Sequence, residues 1–261
     1  MTEMTVPWQK TLASWWESYV RRFWGRDEET DYHVRLKVAH TARVRNIARQ
    51  LMHPRELPAQ ELALVDAAAL LHDVGRFPQY WQYRTFRDLL SVDHADLGAK
   101  TLDEEGVWQW LPPEAAVVLR QAVVWHNKRA LPPEAAGAAW LPAQVVRDAD
   151  KLDIFDMLTT DKEYRMPPTD GISQAGGVSE EIADMVAAGR LGLPAQVKTA
   201  ADQQAFRISW VYDLNTVEAV RYVDRAGFLP LLLAALPEGE AKVRIGQAVE
   251  ACVKRRLETE A

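Results

Sequence analysis

The sequence predicts an all-α fold, and three observations carry that expectation. Apolar residues recur three or four positions apart through most of the chain, the spacing that gathers them on one face of a helix. No run of alternating β-branched residues is flanked by a tight-turn dipeptide, so strands lack their usual signal. Ser, Pro and Gly stand at the ends of the periodic segments, where helices start and stop.

Taken in order, Trp8 to Trp24 reads as an amphipathic helix laid on the core. Val34, Val38, Thr41, Val44, Ala48 and Leu51 mark one buried face of a second helix. Leu62 to Leu71 is apolar nearly all round, interrupted only by Asp66, which places this helix deep in the core. Gly75 just beyond it offers a left-handed stop, so His72 and Asp73 fall at a helix end. Ser91 is a candidate N-cap for a helix through Leu102. Pro112-Pro113 precede a helix from Glu114 to about His126, and Pro142 opens another to about Leu158. Met166 to Val178, with Pro167, Pro168, Gly171, Gly176 and Gly177, reads as the longest irregular connector. Beyond it Phe206, Trp210, Leu214, Val217 and Val220 repeat at helical spacing, and Lys242 to Leu257 forms a final helix.

Composition bounds the function. The 261 residues carry 31 basic and 37 acidic side chains, a net charge of −6, which does not suit sequence-independent binding to nucleic acid. With 48% hydrophobic and 26% charged residues the chain can build a core. Its longest apolar-and-proline run, Phe228 to Leu236, is too short to cross a bilayer, so no membrane association is expected. The start Met1-Thr2-Glu3-Met4-Thr5 lacks the pattern of a secretory signal, and Cys252 is the lone cysteine. A reducing cytoplasm is the expected compartment, and any metal must sit on His, Asp and Glu. The ten tryptophans fall mostly at amphipathic positions, where packing explains them. There is no GxxxxGK[ST] loop and no Gly-x-Ser-x-Gly elbow, so neither a P-loop enzyme nor a serine hydrolase is indicated.

The chemistry gathers at His40, His72-Asp73, His94, His126 and Asp150. Four of these imidazoles sit among apolar neighbours at helical spacing; His40, for example, is four residues from both Leu36 and Val44. Burying each alone is costly unless it finds a partner, and one shared cation would serve them together. His33 shares a helix face with His40, while His53, before Pro54, reads as a helix-end surface residue. Acids at Asp93 and Asp96 suit the positive end of a helix.

Three segments give the pattern a family. Ala39-His40-Thr41-Ala42-Arg43-Val44, then Ala68-Ala69-Leu70-Leu71-His72-Asp73-Val74-Gly75-Arg76-Phe77, then Val146-Arg147-Asp148-Ala149-Asp150-Lys151-Leu152-Asp153 resemble the HD-domain superfamily of metal-dependent phosphohydrolases. The stretch from Gly75 through Ser91-Val92-Asp93-His94-Ala95-Asp96-Leu97-Gly98 is similar to a widespread bacterial subgroup. The resemblance implies an HD helical bundle with added N- and C-terminal helices: a single all-α domain over 1–261, with a metal-binding core at 30–160 and a helical extension at 161–261.

The resemblance makes His40, His72, Asp73 and Asp150 ligands of a first divalent ion, drawn from Mn, Fe, Co, Ni or Zn. His94 and His126 match the additional histidines of relatives that hold a second ion, with Asp73 shared between the two. Two departures leave one or two ions open: His126-Asn127 replaces a His pair, and Arg76 stands where those relatives have Lys. In the one-ion alternative His94 and His126 touch substrate phosphate instead. Arg76 and Lys151 flank the ligands and are, with Asp73, the candidate catalytic residues; Arg84, Arg87, Lys128 and Lys37 also lie beside the motifs. The resemblance implies hydrolysis of a phosphomonoester or phosphodiester in a nucleotide or related small phosphorylated molecule, by water activated on the cation, and raises a homodimer as one possible state. A di-iron oxygenase on the same ligands and a non-catalytic metal-binding or nucleotide-binding module are the alternatives.

Overall fold

The computed structural model describes residues 6–137, 140–160 and 172–259. The fold is all-α, with no β-strand among the described residues. The chain divides into two compact units, residues 1–150 and 151–261. No helix among the described residues is long and apolar enough to cross a membrane.

The first unit is built around one apolar helix. Helices α1 (Pro7–Arg21), α2 (Glu28–Met52) and α3 (Ala59–Leu71) are followed by a short α4 (Arg76–Tyr83), α5 (His94–Glu104) and α6 (Pro113–Trp125). Helix α7 (Leu141–Thr160) runs through the division between the units. As its all-round apolar sequence predicts, α3 is the central element, packed against α1, α2 and α6. Ala63, Val65 and every residue from Ala67 to Leu71 are buried. Asp66 is buried too, and its charge is met by a two-pronged bond from Arg45 (3.1 and 2.7 Å) and by Arg49 at 2.8 Å. The core helix therefore ends at His72-Asp73 with its charge already balanced. Helix α1 lies on α3, and the Tyr19 hydroxyl donates to the Val74 carbonyl at 3.2 Å, tying α1 to the turn that follows His72-Asp73.

Three local expectations need correction. Gly75 does not adopt a left-handed stop: its φ is −68° and it precedes α4. What the position requires is absence of a side chain, because a Cβ there would lie 2.1 Å from the His94 carbonyl oxygen and 2.6 Å from the Gly98 nitrogen. Ser91 is not the cap of α5. Asp93 is, accepting from the amides of Ala95 (2.9 Å) and Asp96 (3.1 Å), where a carboxylate meets the positive end of the helix. Ser91 instead closes a 3-10 turn over Asp88–Leu90, its hydroxyl donating to the Arg87 carbonyl. The repeat from Phe206 to Val220 is not one helix either. It breaks at Leu214, whose backbone is extended, and restarts at the Thr216 cap.

In the second unit α8 (Glu180–Ala187), α9 (Ala200–Ile208), α10 (Val217–Ala226) and α11 (Phe228–Ala234) precede α12 (Glu240–Thr259). Helix α12 packs on α8, α10 and α11 over a core that includes Ile182, Val220, Leu232, Ile245 and Val249. The predicted connector Met166 to Val178 lies outside the described residues as far as Gly171. After it, an isolated bridge pairs Ser173 with Thr199, and buried Asp202 accepts from the amides of Ser179, Lys198 and Thr199.

The contact between α4 and α5 at Gly75 generates a prediction. Gly75→Ala should destabilise the protein by at least about 2 kcal/mol, because backbone rather than a flexible side chain must move. Denaturant unfolding measures it, and a loss under about 0.5 kcal/mol, the size of a neutral surface change, would refute the close approach.

Candidate metal centre

The chain brings its candidate ligands together by means of helix ends. His72 caps the C-terminus of α3 and Asp73 follows it; His126 caps the C-terminus of α6; His94 is the first residue of α5. His40 sits within α2 and Asp150 within α7. All six belong to the first unit. His40, His72, Asp73, His94 and His126 are buried, none more than 5% exposed, whereas the Asp150 side chain is 32% exposed. Solvent therefore reaches the cluster on the Asp150 side.

Each ring's orientation has a local cause. The last carbonyls of a helix lack intrahelical partners, and the two C-capping histidines use them: His72 Nδ1 donates to the Ala69 carbonyl at 2.8 Å and His126 Nδ1 to the Val123 carbonyl at 2.7 Å. His94, at a helix start where no such carbonyl exists, donates from Nδ1 to Asp88 Oδ2 at 2.7 Å. Carbonyls and carboxylates only accept, so the Nδ1 proton is assigned in all three rings, and a neutral ring then carries its lone pair on Nε2. Those Nε2 atoms point inward. His94 and His126 Nε2 stand 2.9 Å apart, and His72 Nε2 is 3.3 Å from His40 Nε2.

Asp73 lies between the two imidazole pairs. Its Oδ2 is 3.5 Å from His40 Nε2 and 3.7 Å from His72 Nε2; its Oδ1 is 3.5 Å from His94 Nε2 and 3.7 Å from His126 Nε2. Asp150 Oδ1 joins the first pair, 3.2 Å from His40 Nε2. Burial alone would raise the Asp73 carboxyl, but Lys37, His72, His126 and Arg76 around it together hold it well below the ordinary carboxylate range. The partial burial of Asp150 works the same way, and the hydrogen bond and charge of His40 outweigh it, so that carboxyl is lowered too. Burial pushes the His72 imidazole down to about 4, and burial with the nearby Arg76 charge does the same to His94.

Ionised carboxylates beside neutral imidazoles are the protonation states that bind cations, so this donor set fits divalent metal. Among the described residues, His40, His72 and Asp150 have ligand atoms close enough to share an ion, and so do Asp73, His94 and His126. A third grouping of Asp88, Asp93 and His94 is already satisfied. Asp93 caps α5 and accepts from Lys128 Nζ at 2.7 Å and from Asn127 Nδ2 at 2.9 Å.

Compared with protein-family models, residues 38–154 match the HD domain. This segment is an HD domain. It belongs to the HD metal-dependent phosphohydrolase superfamily, and the second unit lies almost wholly outside the match. Searches of curated proteins and of solved structures found no match.

Around the centre of the HD domain, Lys37 Nζ donates to Asp73 Oδ2 at 2.8 Å. Arg76 spans two carboxylates: Nε is 3.4 Å from Asp73 Oδ1, and Nη1 donates to Asp88 Oδ1 at 3.0 Å and to Gln79 Oε1 at 2.9 Å. Lys151 begins the second unit, where its Nζ is 2.9 Å from Asp213 Oδ2. Arg84 is turned outward to Asp27 and Glu29, and Lys128 is held by Asp93 and Asp96. His33 stacks on Tyr80 at 4.0 Å, and His53 is the exposed C-cap of α2.

Two residues that hold the centre escaped the sequence reading. Asp88 lies in a 3-10 turn with no periodicity to mark it. Arg147 is among the largest fully buried side chains. From α7 its Nη1 donates to the carbonyls of Trp125 (2.7 Å), His126 (3.2 Å) and Lys128 (2.5 Å), placing a positive charge at the negative end of α6. The only signal for Arg147 was its place in the segment Val146 to Asp153 that resembles the family, three residues before Asp150.

Arg147→Met should leave those buried carbonyls without a donor and cost about 2–4 kcal/mol of stability. Thermal unfolding reads the loss, and an unchanged midpoint would show that the three bonds do not hold the end of α6.

Proposed function

We propose that the HD domain is a metal-dependent phosphohydrolase that cleaves a phosphomonoester or phosphodiester bond in a nucleotide or related small phosphorylated molecule. The observation that supports it is the Asp73 carboxylate, with one oxygen facing His40 and His72 and the other facing His94 and His126. In this reading His40, His72, Asp73 and Asp150 hold one divalent cation, and Asp73, His94 and His126 hold a second. A cation so held supplies Lewis-acid polarisation of a phosphoryl oxygen and lowers the pKa of a water molecule towards neutrality.

The protein's own groups prepare that chemistry. The backbone carbonyls of Ala69 and Val123 keep the Nδ1 protons of His72 and His126, so both rings present Nε2 without a rotamer search. Lys37 and Arg76 keep Asp73 ionised and set positive charge where a phosphoryl group would arrive, although the chain as a whole is acidic. Asp150, the most exposed of the six, marks the open side from which substrate and water enter. The proposed substrate class rests on the sequence's resemblance to the superfamily, and Lys151 enters only through its place next to Asp150 in the chain.

Elemental analysis of the purified protein, followed by a phosphate-release screen over nucleotides with Mn²⁺, Co²⁺, Ni²⁺ and Fe²⁺, tests the proposal. His72→Ala and Asp73→Ala should each lose bound metal and turnover together, with the helical spectrum retained. A variant that keeps both sinks the site. Iron content with oxygen consumption, and no phosphate release, would replace hydrolysis by an oxygenase on the same ligands.

A further inference from the structure

The three rings whose Nδ1 partner is a defined acceptor are not held alike. His72 and His126 lean on backbone carbonyls, neutral and supplied by any sequence that forms the helix. His94 leans on a carboxylate that comes from a separate turn. That carboxylate is itself fully specified. Asp88 Oδ1 accepts from Arg76 Nη1 at 3.0 Å and from Gln79 Nε2 at 2.9 Å, while Oδ2 accepts from His94 Nδ1 at 2.7 Å and, at 3.4 Å, from Asn127 Nδ2. Gln79 is completely buried and its amide also donates to Ser91 Oγ and to the Val92 carbonyl, so the turn bearing Asp88 is fastened at several points.

The charge count of the two ligand groups gives this arrangement a use. The first group has a carboxylate of its own, Asp150, besides one oxygen of Asp73. The second has two imidazoles and only the other oxygen of Asp73. A carboxylate behind an imidazole makes its far nitrogen a stronger donor and fixes the ring.

We propose that Asp88 is the positioning residue of the second cation site: through His94 it supplies the negative charge that the second ligand group lacks, and it makes that site competent to hold an ion. The inference rests on the two-cation reading above and deepens it. Asp88 touches neither substrate nor ion; it acts through the His94 ring, and Arg76 holds it in place from the side of Asp73. On this account Arg76 joins the shared carboxylate to the one that orients His94.

The test is Mn²⁺ binding by equilibrium dialysis on the full chain, wild type against Asp88→Ala and Asp88→Asn, with circular dichroism and thermal unfolding as fold controls. Wild type should bind two ions. Asp88→Ala should keep the first at wild-type affinity and bind the second about 10–100-fold more weakly. Asp88→Asn, whose amide oxygen can still accept from His94 without the charge, should fall between and serves where the alanine variant does not fold. In ¹⁵N-histidine spectra of the Zn²⁺-loaded protein, the His94 Nδ1 proton should exchange slowly in wild type and rapidly in Asp88→Ala. Unchanged second-ion affinity, or parallel weakening of both ions, overturns the role of Asp88 alone. Wild-type protein that binds fewer than two Mn²⁺ ions overturns the two-cation reading and this inference with it.

Discussion

Two imidazole nitrogens that both present lone pairs rest 2.9 Å apart in a dry interior at a cost that positive charge between them or beside them offsets. His94 and His126 do so, with an ionised carboxylate 3.5 and 3.7 Å from the same atoms. Removing that many polar groups from water is costly, and the cost is met only if each group finds a partner. Much of the first unit can be read as the answer. Every outward edge of these rings with a defined acceptor is bonded, and the inward edges form a donor set that fits a divalent cation.

Helix ends are the means. Backbone groups inside a helix are spent on one another, whereas its last carbonyls and first amides are available. His72 and His126 take up such carbonyls, and Asp93 takes up such amides just before His94. Bringing these ends to one point requires close backbone approach, which is why Gly75 lies directly against the first turn of α5. It also requires a foundation that does not yield. The all-apolar α3 provides it, delivering His72 and Asp73 from the middle of the core.

Charge is managed locally rather than globally. A chain of net charge −6 surrounds its central carboxylate with Lys37 and Arg76, and buries Arg147 against the carbonyl end of α6. The second unit has its own core and takes up the chain immediately after Asp150.

How much of this the sequence determined follows from what each feature depends on. Helix type and order depend on spacing and end signals along the chain, so α2, α3 and α12 were legible from their apolar pattern and α6 from Pro112-Pro113 at its start, and His72-Asp73 could be placed at a helix end. The burial cost of four histidines already suggested a shared cation, but the ligand set of four histidines and two aspartates came only through resemblance to the HD superfamily, because nothing local says that distant helix ends meet. What the tertiary structure alone decided is of a different kind. Gly75 looked like a left-handed stop, yet it is needed for a neighbour 2.1 Å from where a Cβ would be. Ser91 looked like a cap, yet Asp93 takes that place, and the Phe206 to Val220 repeat breaks where the backbone extends. Asp88 and Arg147 carried no periodic signal at all. Their roles arise from hydrogen bonds between segments, 2.7 Å to His94 across a turn and 2.7 Å to Trp125 from another helix, and such bonds exist only once the chain has closed.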